Sequence, residues 1–220
     1  MIKSGKKFSS KKELLLSLLH EGAFRLGEIL LRADWSLRHY DDRSFLEEEL
    51  KLYTQPQDAR QISRYDLQGK IRPLKTAPNL LRGWLLKLKS LEEVLLALDF
   101  FYPAALDLYR TFLAGELSST PLRSTLNRQT GMYRITQLLT DEQAQELIGQ
   151  MCCSDHGCLR KVLWSIAPDE EMTTLPLEKT RVDQNNNSSS LQEIPLLCRE
   201  ACNLLVAAAR PLAKKNLPSS

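Results

Sequence analysis

The sequence predicts an α+β protein, mostly helical, with a β-hairpin in its N-terminal region and a small cysteine-rich domain at its end. Three observations carry that prediction. Ser10 with Glu13, Ser90 with Glu93, and Thr140 with Gln143 each show the spacing of a helix-capping box ahead of an apolar run. Between the first two boxes, Ile29, Leu30 and Leu31 precede Ala33-Asp34, and Trp35, Leu37 and His39 alternate after it, as in two strands joined by a turn. All five cysteines fall in two short segments of the last third of the chain.

Taken in order, the first helix is expected from Ser10 to near Gly22, with Leu14, Leu15, Leu18 and Leu19 as its apolar stripe. The hairpin follows within "FRLGEILLRADWSLRHYDD". Helical periodicity returns in "SFLEEELKLYTQPQDARQISRY"; it breaks at Pro56, and Gln57-Asp58 opens a further helix. Gly69, Pro73, Pro78 and Gly83 punctuate an irregular crossing that ends in a strand starting at Trp84. The segment "LEEVLLALDFFYPAALDLYRTFLAG" is expected to be the central buried helix, bent at Pro103. A short helix and an extended run, "MYRITQLL", come next, and the third box starts a helix from Asp141 to about Met151. That helix would deliver Cys152 and Cys153 at its C-terminal end. An Asn/Ser tract at about residues 183–190 reads as a flexible loop. Pro195 is expected to open a closing helix, "IPLLCREACNLLVAAARP", that Pro211 stops. The domains expected are an N-terminal α+β region over 1–130 and a cysteine-rich region over 131–220.

The 220 residues, 43% hydrophobic and 26% charged, are enough for one large or two small cores without disulfide staples. The net charge of +3 comes from 30 basic against 27 acidic residues, too mild and too mixed for a nucleic-acid binder. Ser17, His20 and Glu21 interrupt the N-terminal apolar run, which argues against a signal peptide. Asp99, Pro103 and Asp107 interrupt the most apolar stretch, which argues against a membrane span. The expectation is a cytoplasmic protein. No GxSxG, HExxH, P-loop or GxGxxG motif is present, and His39 beside Asp41 and Asp42 reads as structural. No catalytic residue is assigned, and catalysis by the chain alone is not expected.

The cysteines form two pairs. Cys198 and Cys202, four apart on the expected closing helix, would emerge on one face about a turn apart. Cys153 and Cys158 enclose "SDHG", where Gly157 permits a tight loop. Four thiolates from two such pairs suit a [4Fe-4S] cluster. Zinc, with His156 as a nitrogen ligand, suits the same spacing, and buried core thiols are the plain alternative.

The runs "RPLKTAPNLLRGW", "FYPAAL", "NRQTGMYR", "CLRKVLW" and "PLLCREACNLLVAAAR" resemble a family of iron-sulfur proteins fused behind a CbiX-like sirohydrochlorin chelatase domain. In that family a stabilising domain precedes a [4Fe-4S]-binding domain, and the resemblance runs from about residue 12 to about residue 210. It implies ligands at Cys158, Cys198 and Cys202, with Cys153 or Cys152 as the fourth; Cys153 is preferred, because Cys152 can then pack against the preceding helix. The chelatase domain has no counterpart in this sequence. A cluster near the end of the chain suits a redox or electron-transfer protein partnering a tetrapyrrole enzyme; Arg160, Lys161 and Arg199 would line the cluster as cations, against the plainer reading of solvated helix charges. Two other functions are weighed: a tetrapyrrole-binding accessory protein using Arg72, Lys75, Arg82 and the Trp84 ring, for which a basic loop covering the core with Trp84 buried is the favoured plain reading, and a zinc-binding regulatory protein.

Overall fold

A computed structural model of the chain describes residues 7–20, 22–65, 68, 80–117, 120–152, 160–162, 164–165, 192–194, 196–198 and 201–216. Two units emerge, Met1–Leu117 with Asn187–Leu196, and Ser118–Asn186 with Leu197–Ser220. The sequence reading placed its boundary after residue 130; the division falls after Leu117, and the chain revisits the first unit once.

The fold is α+β. The first unit begins with helix α1 (Lys11–His20). Ser10 Oγ accepts the Glu13 N–H at 3.2 Å, while the Glu13 carboxylate turns back to the Ser9 N–H at 2.7 Å. The expected cap is present, displaced by one residue in its return bond. Leu14, Leu15, Leu18 and Leu19 are all buried, as their spacing requires.

Strands β1 (Phe24–Leu26), β2 (Ile29–Leu31) and β3 (Ser36–His39) form an antiparallel meander. The β2–β3 hairpin is the expected one. The additional strand β1 precedes it through a two-residue turn, Gly27-Glu28, in which Gly27 takes φ +61°. That conformation is free of steric cost only for glycine, and it suits the twist of a tight hairpin. At the β2–β3 turn Asp34 Oδ1 accepts the Ser36 N–H at 3.1 Å and its hydroxyl at 2.6 Å. Burial pushes the Asp34 carboxyl up, but the Ser36 bonds and nearby Arg32 outweigh it, leaving the group below the ordinary aspartate value.

The expected helix over "SFLEEELKLY" is not formed. A single 3-10 turn (Glu47–Glu49) is followed by strand β4 (Lys51–Tyr53). The Glu49 carboxylate accepts the Leu46 N–H at 2.6 Å, which closes the chain after one turn. A lone helix of this length is marginal in water, whereas β4 gains a parallel partner in β5 (Trp84–Lys87), with Leu52 opposite Leu85. The helix expected after Pro56 is present as α2 (Asp58–Ile62).

β5 is the strand expected at Trp84. It pairs with β3 and completes a mixed sheet of order β4-β5-β3-β2-β1-β9, where β9 (Gln192–Ile194) lies parallel to β1. The long apolar run forms α3 (Leu91–Phe101) and α4 (Ala105–Leu113), with Ser90 Oγ accepting the Glu93 N–H at 3.3 Å. At Pro103 the run breaks into two helices where only a bend was expected, and Ala104 adopts φ +60°. One core unites α1, α3, α4 and the sheet, with Trp84 stacked on Phe101 at a 5.2 Å centroid separation.

In the second unit, β6 (Thr120–Pro121) pairs in parallel with β8 (Trp164–Ser165), and α5 (Leu122–Asn127) is the expected short helix. The run "MYRITQLL" is not extended but lies in a 3-10 helix, Gly131–Leu138. Thr136 Oγ1 donates to the Tyr133 carbonyl at 2.8 Å, a local bond that rewards a tight turn over a strand. Helix α6 (Asp141–Cys152) carries its full capping box, Thr140 N–H to Gln143 Oε1 at 2.9 Å and Gln143 N–H to Thr140 Oγ1 at 3.2 Å.

The closing helix is shorter at its start and longer at its end than expected. Strand β10 (Leu196–Cys198) occupies its predicted first turn and pairs with β7 (Arg160–Val162). Helix α7 (Asn203–Lys215) starts after Cys202 and continues through Pro211. Pro211 costs the helix a backbone bond, but fully buried Ala213 packs in the core beyond it. Asn216 Nδ2 also ties the helix end to the Leu138 carbonyl at 2.7 Å. The Asn/Ser loop expected at about 183–190 lies outside the described residues.

Two outcomes follow from this geometry. Ala104 is exposed and left-handed, so Ala104→Gly should raise stability by about 1 kcal/mol, read from the urea midpoint at unchanged m. The Asp34 carboxyl, lowered from 3.8, contributes stability that is present above that value and lost as pH falls through its lower folded value. Asp34→Asn should therefore flatten the acid limb of the stability profile and leave the slope between pH 7 and 9 unchanged.

Candidate metal centre

The second unit pairs, through its backbone, two described strands that neighbour the cysteines in the sequence. Helix α6 ends at Cys152, and β7 begins at Arg160. Cys153 and Cys158 fall between these elements in the sequence and lie outside the described residues, as do His156 and Arg199. β7 pairs with β10, whose last residue is Cys198. The strand that follows the first cysteine segment is thus hydrogen-bonded to the strand that carries the second. α6 and α7 also share one core, with Leu147 and Ile148 from the first and Leu205 and Ala209 from the second.

Cys198 and Cys202 are not a helical pair. Cys198 ends a strand and is 8% exposed. Cys202 is the N-cap of α7, with extended backbone, and its Sγ accepts the Leu205 N–H at 3.5 Å. Neither takes part in a disulfide. The helical rotation that would have put them on one face is replaced by a strand end at Cys198 and a helix cap at Cys202, so each side chain is oriented by a different element. The cap role of Cys202 was missed from the sequence, although a signal for it exists. Cys202 continues the spacing of the buried Leu205, Val206, Ala209 and Ala213 one turn upstream, just after the polar pair "RE" in the sequence.

The donor set suits a thiolate-bound cluster. Two soft sulfurs outside any disulfide stand at element termini, and that of Cys202 accepts a backbone N–H, as a ligating sulfur does. Among the described residues no group of three or more His, Cys, Asp or Glu side chains is gathered for a metal ion.

Residues 114–211 match the family described as a 4Fe-4S iron-sulfur cluster binding domain, and residues 15–111 match the DR2241 stabilising domain. The chain is a stabilising domain followed by a 4Fe-4S cluster-binding domain. The stabilising domain corresponds to most of the first structural unit, and the cluster-binding domain holds all five cysteines. Its cofactor is a [4Fe-4S] cluster, as the thiolate reading expected, and zinc with His156 gains no support. A solved structure, DR2241 from Deinococcus radiodurans, is similar to this two-domain chain at 28% identity and a TM-score of 0.67. The match covers 94% of this chain and 42% of that one; that protein is described as multi-domain, structurally similar to chelatases but with two additional novel domains. No curated protein matches the chain.

Trp84 offers no free face for stacking a tetrapyrrole. Trp84 is 1% exposed, its face is occupied by Phe101, and its Nε1 donates to the Leu81 carbonyl at 2.6 Å. Arg82 is paired with Asp41. Arg72 and Lys75 lie outside the described residues. His39 is buried as well: its Nδ1 accepts the Asp41 N–H at 3.1 Å, and Nε2 lies 3.5 Å from Glu28 Oε1. Buried Asp42 accepts the Gly83 N–H at 2.7 Å, and Glu28 Oε2 accepts the Leu80 N–H at 2.9 Å. These groups fasten residues 80–83 to the end of β3, the structural role the sequence favoured. No described helix is long and apolar enough to cross a membrane.

Proposed function

We propose that Cys153, Cys158, Cys198 and Cys202 hold the cluster, and that the chain uses it as an electron-transfer module for a tetrapyrrole enzyme of the cytoplasm. The observation that supports this ligand set is the β7–β10 pairing. It fixes the strand starting two residues after Cys158 beside the strand ending at Cys198, and Cys202 follows at the head of α7. Cys152 belongs to α6, and Cys153 is the first cysteine beyond that helix. A side chain beyond the helix end is free of the helical direction that Cys152 must follow.

The chelatase likeness of DR2241 motivates the choice of partner. In this reading a low-potential protein donor gives one electron to the cluster, which passes it to the partner enzyme, with no bond made or broken in this chain. The cations Arg160 and Lys161 on β7 stand in the strand next to Cys198, where positive charge favours the more anionic reduced cluster.

Anaerobically purified protein should be brown, absorb near about 400 nm, bleach with dithionite and contain about four iron and four sulfide per chain. Cys158→Ala, Cys198→Ala and Cys202→Ala should each lose most of the iron, whereas Cys152→Ala should retain it. Colourless protein with stoichiometric zinc, or Cys158→Ala at full colour, would overturn the assignment.

A further inference from the structure

The role of Cys202 as a helix cap has a consequence for the bound cluster. α7 has 13 residues, and its first backbone ladder bond runs from the Val206 N–H to the Cys202 carbonyl at 3.0 Å. The Leu205 N–H, one residue earlier, is therefore outside the ladder, one of the donors every helix start leaves over. Its recorded acceptor is Cys202 Sγ, at 3.5 Å. Around this bond the site is part-buried: Leu205 is 3% exposed, Val206 is 1% exposed, and the half-buried Cys202 packs against the same core as buried Cys198.

We infer that the Leu205 backbone N–H, donating to Cys202 Sγ at the N-terminus of α7, raises the reduction potential of the bound cluster. The inference rests on the reading of Cys202 as a ligand. Reduction adds one electron to the cluster, and part of that added charge resides on the ligand sulfurs. A donor aimed at one of those sulfurs stabilises the reduced form more than the oxidised form. The positive end of the α7 dipole acts in the same direction, and the buried Leu205 and Val206 reduce its screening by water. Leu205 is thus a positioning residue that works through its main chain, and its side chain only packs.

That division sets the test. Leu205→Pro removes the N–H together with the leucine side chain; Leu205→Ala removes most of the side chain and keeps the N–H. Midpoint potentials are read anaerobically on the cluster-loaded full chain by dithionite titration with mediator dyes. Leu205→Ala should stay close to the unaltered protein, and Leu205→Pro should be shifted to lower potential than Leu205→Ala. Equal potentials in the two variants would overturn the inference while leaving the ligand set intact. An iron-free unaltered protein, or full cluster content in Cys202→Ala, would instead overturn the ligand reading beneath it.

Because proline disfavours helical geometry at Leu204, Leu205→Pro can fail to fold, and a second measurement needs no variant. In the dithionite-reduced, 15N-leucine-labelled protein, pulsed EPR should show 15N coupling to the cluster spin. Absence of any such coupling would also overturn the inference.

Discussion

The second unit depends on one main-chain interaction, the pairing of β10 with β7. Each is only three residues long, yet together they tie two stretches of sequence more than thirty residues apart. Closing so long a loop costs entropy that grows only slowly with its length, so a short ladder backed by a packed core can hold it. Here the core is supplied by α5, α6 and α7, whose buried residues surround Cys198. The sulfur chemistry is therefore a by-product of ordinary packing: the thiol at position 198 is buried because its strand is, and the thiol at 202 is oriented because a helix must start there.

The helices of the first unit were legible because their signals are local. Ser10 and Ser90 act as caps by accepting an N–H three residues on, as the spacing implied. The β2–β3 hairpin and β5 were legible for the same reason. What escaped were elements decided by distant partners. The run around Glu47–Tyr53 has helical periodicity, and only the free edge of β5 makes it a strand. β9 is three residues of unremarkable composition that become a strand by lying parallel to β1. No local pattern encodes a partner that stands far away in the chain.

The candidate centre was legible in composition and misread in geometry. Four cysteines in two close pairs raise soft-metal chemistry beside the plain reading of buried core thiols, whatever the backbone does. The backbone under Cys198 and Cys202 was assigned to one helix because Pro195 looks like a helix opener and the following residues are apolar. Leu196–Cys198 pairs instead with β7, and the helix waits until Cys202 can cap it. Pro211 misled in the opposite direction. Proline ends helices by local rules, yet α7 has buried residues on both sides of it, and the packing outweighs the lost bond.

A strand end followed by a helix cap is better suited to holding a cluster than the helical pair it replaces. On a helix, side chains four apart point the same way and are tilted toward the N-terminus, so two thiols there meet a metal from nearly one direction. A cluster with four corner irons needs ligands that converge from several directions. Cys198 projects from a strand held by β7, and Cys202 sits at a cap where its sulfur faces the N–H groups of the first turn. The two approaches differ because the elements differ. The cap also solves a polar problem at no extra cost, since the same sulfur that can ligate iron satisfies a backbone donor that the helix would otherwise bury without a partner.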